Sequence, residues 1–203
     1  LGEGGIGCNI TSVDENYQDD NTTFRRIKGT ITTPHYIESI YPPTLMSRDS
    51  DGTPLFTFNS EVVFTLLIPQ SAATSGTPAP LAVLGHGFLG NGEGMVSGFR
   101  GWANEYGYAT IGTDFKGWSS DGDFDAITFG LMNVNYLQHQ SERLQQSVIN
   151  HLAMIRTIKG VCSDLPEFYN EGVNLVDSSG YLNYLGVSLG GIRGPSMLSL
   201  IPE

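Results

Sequence analysis

The spacing of apolar residues predicts strands that recur along most of the chain. Between Arg25 and Ile37 apolar positions alternate with polar ones, which is the period of a strand with one buried face. The run from Leu81 to Gly85 is apolar without interruption, as in strands of parallel sheets that are buried on both faces. Five strands are predicted in all, over 25–37, 61–69, 81–85, 108–115 and 181–185.

Helical spacing fills the intervals between the later strands. One helix is predicted after the third strand from apolar residues spaced four, three and four apart, namely Met95, Phe99, Trp102 and Tyr106. A longer helix is predicted over 138–158 and a third over 189–200. Strands and helices that alternate in this order imply right-handed crossovers. The prediction is an α/β fold with a mostly parallel sheet and helices on both faces.

The first 23 residues lack this periodicity. Residues 1–23 are rich in Gly, Asn, Asp and Thr, and we expect an extended leader there, with the folded unit occupying 24–203. Two cysteines, Cys8 and Cys162, lie far apart and have no metal-like spacing. They form either a disulfide or two buried thiols, and the sequence leaves both open. No internal repeat or second domain is evident.

Composition narrows the functional classes. The 203 residues include 21 acidic and 10 basic side chains, giving a net charge of -11 that opposes nucleic acids and anionic lipid surfaces. No run of roughly 18 apolar residues predicts a transmembrane segment. The low charged fraction of 15%, the 26 glycines and the start at Leu1 instead of Met are typical of a processed, exported protein. We expect a secreted, periplasmic or cell-surface location.

A G-x-S-x-G pentapeptide follows the last predicted strand and precedes a helix. Its residues are Gly186, Val187, Ser188, Leu189 and Gly190. A strand that turns at once into a helix passes its backbone through a cramped bend, and glycines on both sides remove the clashing Cβ atoms. The bend exposes the hydroxyl of Ser188 and directs the following N–H, that of Leu189, toward a developing oxyanion. Ser188 is therefore the candidate nucleophile.

A second motif ends an earlier strand, where His86, Gly87 and Phe88 follow the run 81–85. The two motifs together resemble the α/β-hydrolase fold. This resemblance implies that Phe88 N–H is the other oxyanion donor and that His86 and Gly87 shape its turn. The segments 29–34 and 86–90 look most like secreted bacterial esterases or lipases. The implied activity is hydrolysis of small-molecule, lipid or polymer carboxylic esters through an acyl-enzyme, without cofactor or metal.

The rest of a catalytic triad is missing from the expected place. The family order is nucleophile, acid, histidine, yet only Glu203 and no histidine follow Ser188. His35, His139 and His151 occupy none of the expected positions. We therefore expect this chain to be the N-terminal portion of a hydrolase, with a sheet incomplete at its C-terminal side. A C-terminal polypeptide would then complete both the sheet and the triad.

Three other interpretations remain open. A serine peptidase or an acyltransferase uses the same fold, and a binding or assembly protein can keep the fold with a degenerate triad. The run from Gly85 to Gly90, with Asp114 further on, also matches a dinucleotide-binding pattern, although its strand comes late in the chain.

The irregular stretch 116–136 adds lesser candidates. Trp118 and Phe124 either contact substrate as part of a lid or cap the core. Three acidic residues of this stretch, Asp121, Asp123 and Asp125, lack the partners of a calcium loop, so a solvated loop is expected. A plain Asp-Gly turn is expected over Asp51 and Gly52. No metal site is predicted.

Overall fold

The computed structural model describes residues 5–39, 44–120, 127, 128, 130 and 132–201. The strands within them are β1 (Cys8–Glu15), β2 (Thr23–His35), β3 (Phe58–Pro69), β4 (Ala79–Gly85), β5 (Ala109–Thr113), β6 (Tyr169–Asn170), β7 (Val173–Asn174), β8 (Val176–Asp177) and β9 (Asn183–Gly186). The helices used below are α1 (Gln70–Ser75), α2 (Gly92–Gly98), α3 (Arg100–Tyr106), α4 (Leu137–Lys159) and α5 (Leu189–Leu198). The five strands expected from the sequence are present, and α4 and α5 match two of the three expected helices, with bounds shifted by a few residues.

The main sheet has the order β1-β2-β3-β5-β4, and β8 and β9 both pair with β4. The α/β class is confirmed, but the sheet is parallel only in part. β4 pairs in parallel with β5, β8 and β9, whereas β1, β2, β3 and β5 follow one another in antiparallel pairs. No helix is described between β2 and β3, so the chain returns along its own neighbour, which reverses the strand direction.

Helices cover both faces of the sheet, as predicted. α4 packs on one face, over apolar side chains of β2 to β5 that include Ile27, Ile31, Phe64, Leu66, Leu81, Val83 and Ile111. α2 packs on the other face, where Val96 meets Leu67, Ala82 and Leu84. Strand side chains point alternately to opposite faces, so the unbroken apolar run of β4 is buried on both sides.

The helix predicted from Met95 to Tyr106 is interrupted. α2 ends at Gly98, and Phe99 has the non-helical ψ of 8° before α3 begins. Glycine is a weak helix former, so Gly98 is a favourable place for the helix to end. Tyr106 is 60% exposed and lies outside the core.

The sheet begins at Cys8 instead of near Phe24. β1 pairs with β2 from Cys8, opposite Ile31, to Glu15, opposite Arg25. The alternative left open for the cysteines is resolved, because Cys8 and Cys162 form a disulfide with Cα atoms 5.7 Å apart. This bond joins the edge strand to the segment just after α4.

Across the part of the chain that the structure describes, no helix is both long and apolar enough to cross a bilayer.

Candidate active site

The pentapeptide forms a sharp turn between β9 and α5, as the motif requires. Ser188 has φ 52° and ψ -113°, a conformation that residues other than glycine rarely adopt. Such a conformation costs about 1–3 kcal/mol and persists only where the surroundings impose it. Two backbone bonds impose it here: Val187 N–H donates to Gly85 O (3.1 Å), and Gly190 N–H donates to His86 O (3.0 Å).

Glycine is required on both sides of Ser188 because backbone segments touch there. A Cβ atom on Gly186 would lie 2.6 Å from the amide nitrogen of Gly191. A Cβ atom on Gly190 would lie 3.0 Å from the Cα atom of Gly85 and closer still to its carbonyl group. The elbow therefore packs main chain against main chain, at the carboxyl end of β4.

The parallel register of β4 and β9 brings the two sequence motifs together. Gly85 lies opposite Gly186, so the residues that follow them leave the sheet side by side. A Cβ atom placed on Gly87 would lie 3.5 Å from the Ser188 Cβ atom, in ordinary van der Waals contact. Ser188 is exposed, and within the described residues its hydroxyl has no hydrogen-bond partner.

Two backbone amides beside Ser188 are also unengaged. Within the described ranges neither Phe88 N–H nor Leu189 N–H donates a hydrogen bond. Leu189 is the first residue of α5, where helical geometry provides no acceptor for the amide. The N-terminus of α5 and these two amides are therefore unengaged N–H donors in the two turns that meet at Ser188.

Neighbouring loops hold the turn that carries Phe88. Leu89 N–H donates to Trp118 O (3.1 Å), and Ser120 N–H donates to Gly90 O (2.9 Å), so the turn runs alongside the segment 118–120. The rings of Phe88 and Trp118 meet edge to face at 5.5 Å. These contacts hold the turn against the segment 118–120.

His86 is buried under this turn and both its ring nitrogens are occupied. Phe115 N–H donates to Nε2 (2.8 Å), so that nitrogen carries no proton. Nδ1 then carries the proton and donates it to Gly87 O at 2.7 Å. His86 thus links the turn to the end of β5 and is not available as a general base.

One of the other three histidines lies near His86, because the rings of His151 and His86 both contact Phe115, with centroids 4.7 and 4.9 Å away. Nδ1 of His35 bonds Ile37 O at 2.8 Å, and burial lowers the pKa of this imidazole. Complete burial on α4 lowers the pKa of His151 to about 4. His139 lies on the same helix, with its ring 5.4 Å from that of Tyr136. Among the described residues, none of the four histidines hydrogen-bonds to Ser188.

Tyr184 supports the elbow, although the motif analysis did not single it out. Its hydroxyl donates to Gly190 O (2.7 Å), and burial raises the pKa of the phenol to about 12. A Cβ atom on Gly194 would lie 2.7 Å from Cδ1 of this ring, so glycine makes room for it. The signal available in the sequence was an aromatic residue two positions before the elbow and a glycine on the next helix.

The lid candidates have different outcomes. The indole N–H of Trp118 donates to Gln140 O (2.9 Å), which anchors this half-buried side chain to α4 while its ring borders Phe88. Trp118 therefore caps the core and lies beside the site at the same time. Phe124 lies outside the described residues, as do Asp121, Asp123 and Asp125. Within the described parts of the chain, no group of three or more metal-binding side chains comes together.

The dinucleotide interpretation finds little support at the start of α2. Gly92 N–H donates to the Asp114 carboxylate (2.7 Å), and Gly94 N–H donates to Asn91 Oδ1 (2.6 Å). The amides that would bind a pyrophosphate are already engaged, and a carboxylate beside them repels phosphate.

The expected Asp-Gly turn is confirmed, because Gly52 N–H donates to Asp49 O at 3.1 Å.

Comparison with known proteins gives structural neighbours only. No protein-family model matches the chain, and no curated protein matches it. The solved structures that match include two of the rice cell wall degrading esterase LipA from Xanthomonas oryzae, one of them ligand-bound. Each has 14% sequence identity and a TM-score of 0.37, and the match covers 94% of this chain but only 43–44% of the esterase. The chain thus spans less than half the length of these structures.

Proposed function

We propose that this chain carries the nucleophile and oxyanion hole of a serine hydrolase that acts on carboxylic esters. The observation that supports it is the exposed Ser188 hydroxyl on a strained elbow, flanked by the unengaged amides of Phe88 and Leu189. Nothing in an ordinary Gly/Ser turn requires this combination. A strained backbone at a site that also offers two free donors points to chemistry at that serine.

The proposed reaction has two stages. Ser188 Oγ attacks the acyl carbon as its proton passes to a base, and the amides of Phe88 and Leu189 bind the carbonyl oxygen as it becomes an oxyanion. The intermediate collapses, the ester C–O bond breaks, and the alcohol leaves with the proton. Water then hydrolyses the acyl-enzyme by the same route, releasing the acid and restoring the serine.

We further propose that the base and its carboxylate come from sequence outside this chain. Two observations support this. His86 has both nitrogens occupied by backbone groups, and β9 pairs with β4 on one side only within the described residues. Apolar side chains near that open edge are exposed, namely Tyr181, Val187, Ile192, Leu198 and Leu200. A C-terminal polypeptide that adds strands there would cover them and bring the missing groups.

An extracellular, periplasmic or cell-surface location fits this proposal. The bond between Cys8 and Cys162 forms and persists in oxidising compartments and is rare in the cytosol. The ester substrate remains defined by class only.

The decisive test is labelling of the intact protein, that is, this chain together with the proposed C-terminal polypeptide, with a fluorophosphonate probe, followed by mass mapping of the labelled peptide. We expect modification of Ser188 and none in Ser188→Ala. The matched control is Ser196→Ala, which removes another exposed serine, eight residues later on α5. Labelling that persists in Ser188→Ala would refute the nucleophile assignment. Absence of labelling in the wild type would favour a binding or assembly protein instead.

The oxyanion donor is tested separately. Phe88→Pro deletes the amide hydrogen and should lower ester turnover by on the order of 100- to 1000-fold. Phe88→Ala keeps the amide and should retain most of the activity. Equal losses in Phe88→Pro and Phe88→Ala would mean that the ring of Phe88, and not its amide, is what matters.

The reaction class is tested with other substrates. Hydrolysis of amides, or acyl transfer to acceptors other than water, in preference to ester hydrolysis would reassign the chain to a peptidase or an acyltransferase.

A further inference from the structure

A mostly apolar groove lies between α4, the end of β2 and the start of β3. Its volume is about 510 Å³, within the range of small-molecule sites. The lining residues used below are Ile6, Tyr36, Phe56, Ile149, Leu152 and Arg156. We call it the α4 groove. None of its lining residues belongs to the elbow or to the turn that carries Phe88.

The walls of the α4 groove are built from two elements. Ile149, Leu152 and Arg156 are spaced three and four apart on α4, so they lie on one face of the helix. Tyr36 and Phe56 form the facing wall, with ring centroids 6.4 Å apart and planes at 85°. Phe56 is 57% exposed although it is large and apolar. This is apolar surface that the described parts of the chain leave uncovered.

Arg156 is the cation at this groove and it is unpaired. No hydrogen bond or ion pair to its guanidinium is present among the described residues. Other cations of this chain do find carboxylates, among them Arg25, Arg26, Lys28, Arg48 and Arg100. Arg193 on α5 also lacks a carboxylate partner among the described residues, but Arg156 is the one of the two that lines the α4 groove. Guanidinium binds carboxylates through two parallel hydrogen bonds.

We propose that the α4 groove binds an unbranched aliphatic monocarboxylate. The carboxylate accepts hydrogen bonds from Arg156, and the alkyl chain lies between Leu152 and the rings of Tyr36 and Phe56. A purely apolar ligand would leave the guanidinium unpaired, and a short anion would leave the apolar walls exposed. An amphiphile with one negative charge satisfies both. This proposal stands independently of the function proposed for Ser188.

The ligand series is tested on the purified full chain by isothermal titration calorimetry. We expect octanoate to bind, and each methylene removed from the buried tail to weaken binding by about fourfold. Butanoate should therefore bind up to roughly 200-fold more weakly. 1-Octanol, which has the same tail without the charge, should bind at least about tenfold more weakly than octanoate. Equal affinity for octanoate and 1-octanol, or no binding of octanoate, would overturn the proposal.

Two arginine variants test whether octanoate binds in the α4 groove. Arg156→Gln should weaken octanoate about tenfold or more and leave 1-octanol unchanged. The matched control is Arg193→Gln, which removes the same charge from α5 near the elbow and should leave octanoate binding unchanged. A loss in Arg193→Gln but not in Arg156→Gln would place the ligand near Ser188 and refute the α4 groove. Arg156 also lies in the last turn of α4, so thermal melts are recorded for both variants. A lower melting temperature of Arg156→Gln with unchanged octanoate affinity would show a purely structural role.

Discussion

The two halves of the sheet are held together in different ways. Around β4, β9 and α5, close main-chain contacts at Gly85, Gly186 and Gly190 are backed by the side chain of Tyr184. Around β1, β2 and β3, ion pairs between side chains add to the backbone ladders. Arg25 bonds Glu15 at 2.7 Å, Arg26 bonds Asp14 at 2.8 Å, and the disulfide closes the edge. The half that carries Ser188 therefore leaves little freedom in its geometry, and the other half contributes stability.

The strained backbone at Ser188 requires the close main-chain packing that is found around it. A φ of 52° outside glycine persists only if neighbouring atoms leave the backbone no alternative. Side-chain contacts adjust by rotation about χ angles, whereas packed main chain cannot. The proposed oxyanion hole would need two backbone amides in fixed positions, and close main-chain packing at glycines would provide them.

The largest expected effect comes from placing a methyl group in the packed half. Gly190→Ala puts a Cβ atom against the carbonyl group of Gly85, and we expect a loss of about 3 kcal/mol or more in unfolding free energy together with loss of probe labelling. Urea denaturation and fluorophosphonate labelling measure the two effects. Gly101→Ala is the control, because an added Cβ atom meets nothing within 4 Å there. It should stabilise α3 by up to about 1 kcal/mol. Near-normal labelling of Gly190→Ala would contradict the main-chain packing described here.

Removing the disulfide from the other half should lower stability but should affect the Ser188 site less than Gly190→Ala does. Replacing both Cys8 and Cys162 by Ala removes a cross-link over a long loop and should cost about 2–5 kcal/mol of unfolding free energy. The labelling rate of Ser188, measured well below the melting temperature, should stay the same. If the rate fell as far as in Gly190→Ala, the two halves would be coupled more tightly than their contacts indicate.

The smallest expected effect isolates the strain itself. Ser188→Gly and Ser188→Ala both delete the hydroxyl, but only glycine adopts positive φ without cost. We expect Ser188→Gly to be more stable than Ser188→Ala by about 1–2 kcal/mol, measured by urea denaturation. Equal stabilities would mean that the elbow imposes no strain.

The sequence predicts the site-bearing half better than the other half. Apolar runs such as 81–85 mark strands buried on both faces, and glycine spacing around Ser188 marks the elbow, because both signals depend on local backbone geometry. Strand direction is not encoded in the period of a strand, so the antiparallel pairing of β2 and β3 could not be obtained from it. β1 has few apolar residues, chiefly Ile10 and Val13, and its pairing depends on the disulfide and ion pairs between distant positions.

The packing of α4 shows a second limit of periodicity. The sequence marks an apolar stripe, yet buried polar residues fill much of the helix surface that meets the end of β2. Gln146 Nε2–H donates to Pro34 O (2.9 Å), and Thr33 donates to Asn150 Oδ1 (3.2 Å). A polar residue that satisfies a distant carbonyl or hydroxyl has no signature in a hydrophobic pattern. The same holds for Tyr184, whose partner is the carbonyl of Gly190.

The bond between Cys8 and Cys162 also makes part of the chain a covalently closed ring and leaves the rest as an open tail. Residues 8–162 form one closed ring that includes β1 to β5 and α4, while β9, Ser188 and α5 lie on an open tail beyond it. A single peptide-bond cleavage inside the ring leaves both pieces attached, and gel electrophoresis without reductant would show one band. After a single cleavage between Cys162 and β9, the segment that carries Ser188 instead runs as a separate fragment on a denaturing gel. The covalent consequence of a single proteolytic cut therefore depends on which side of Cys162 it falls.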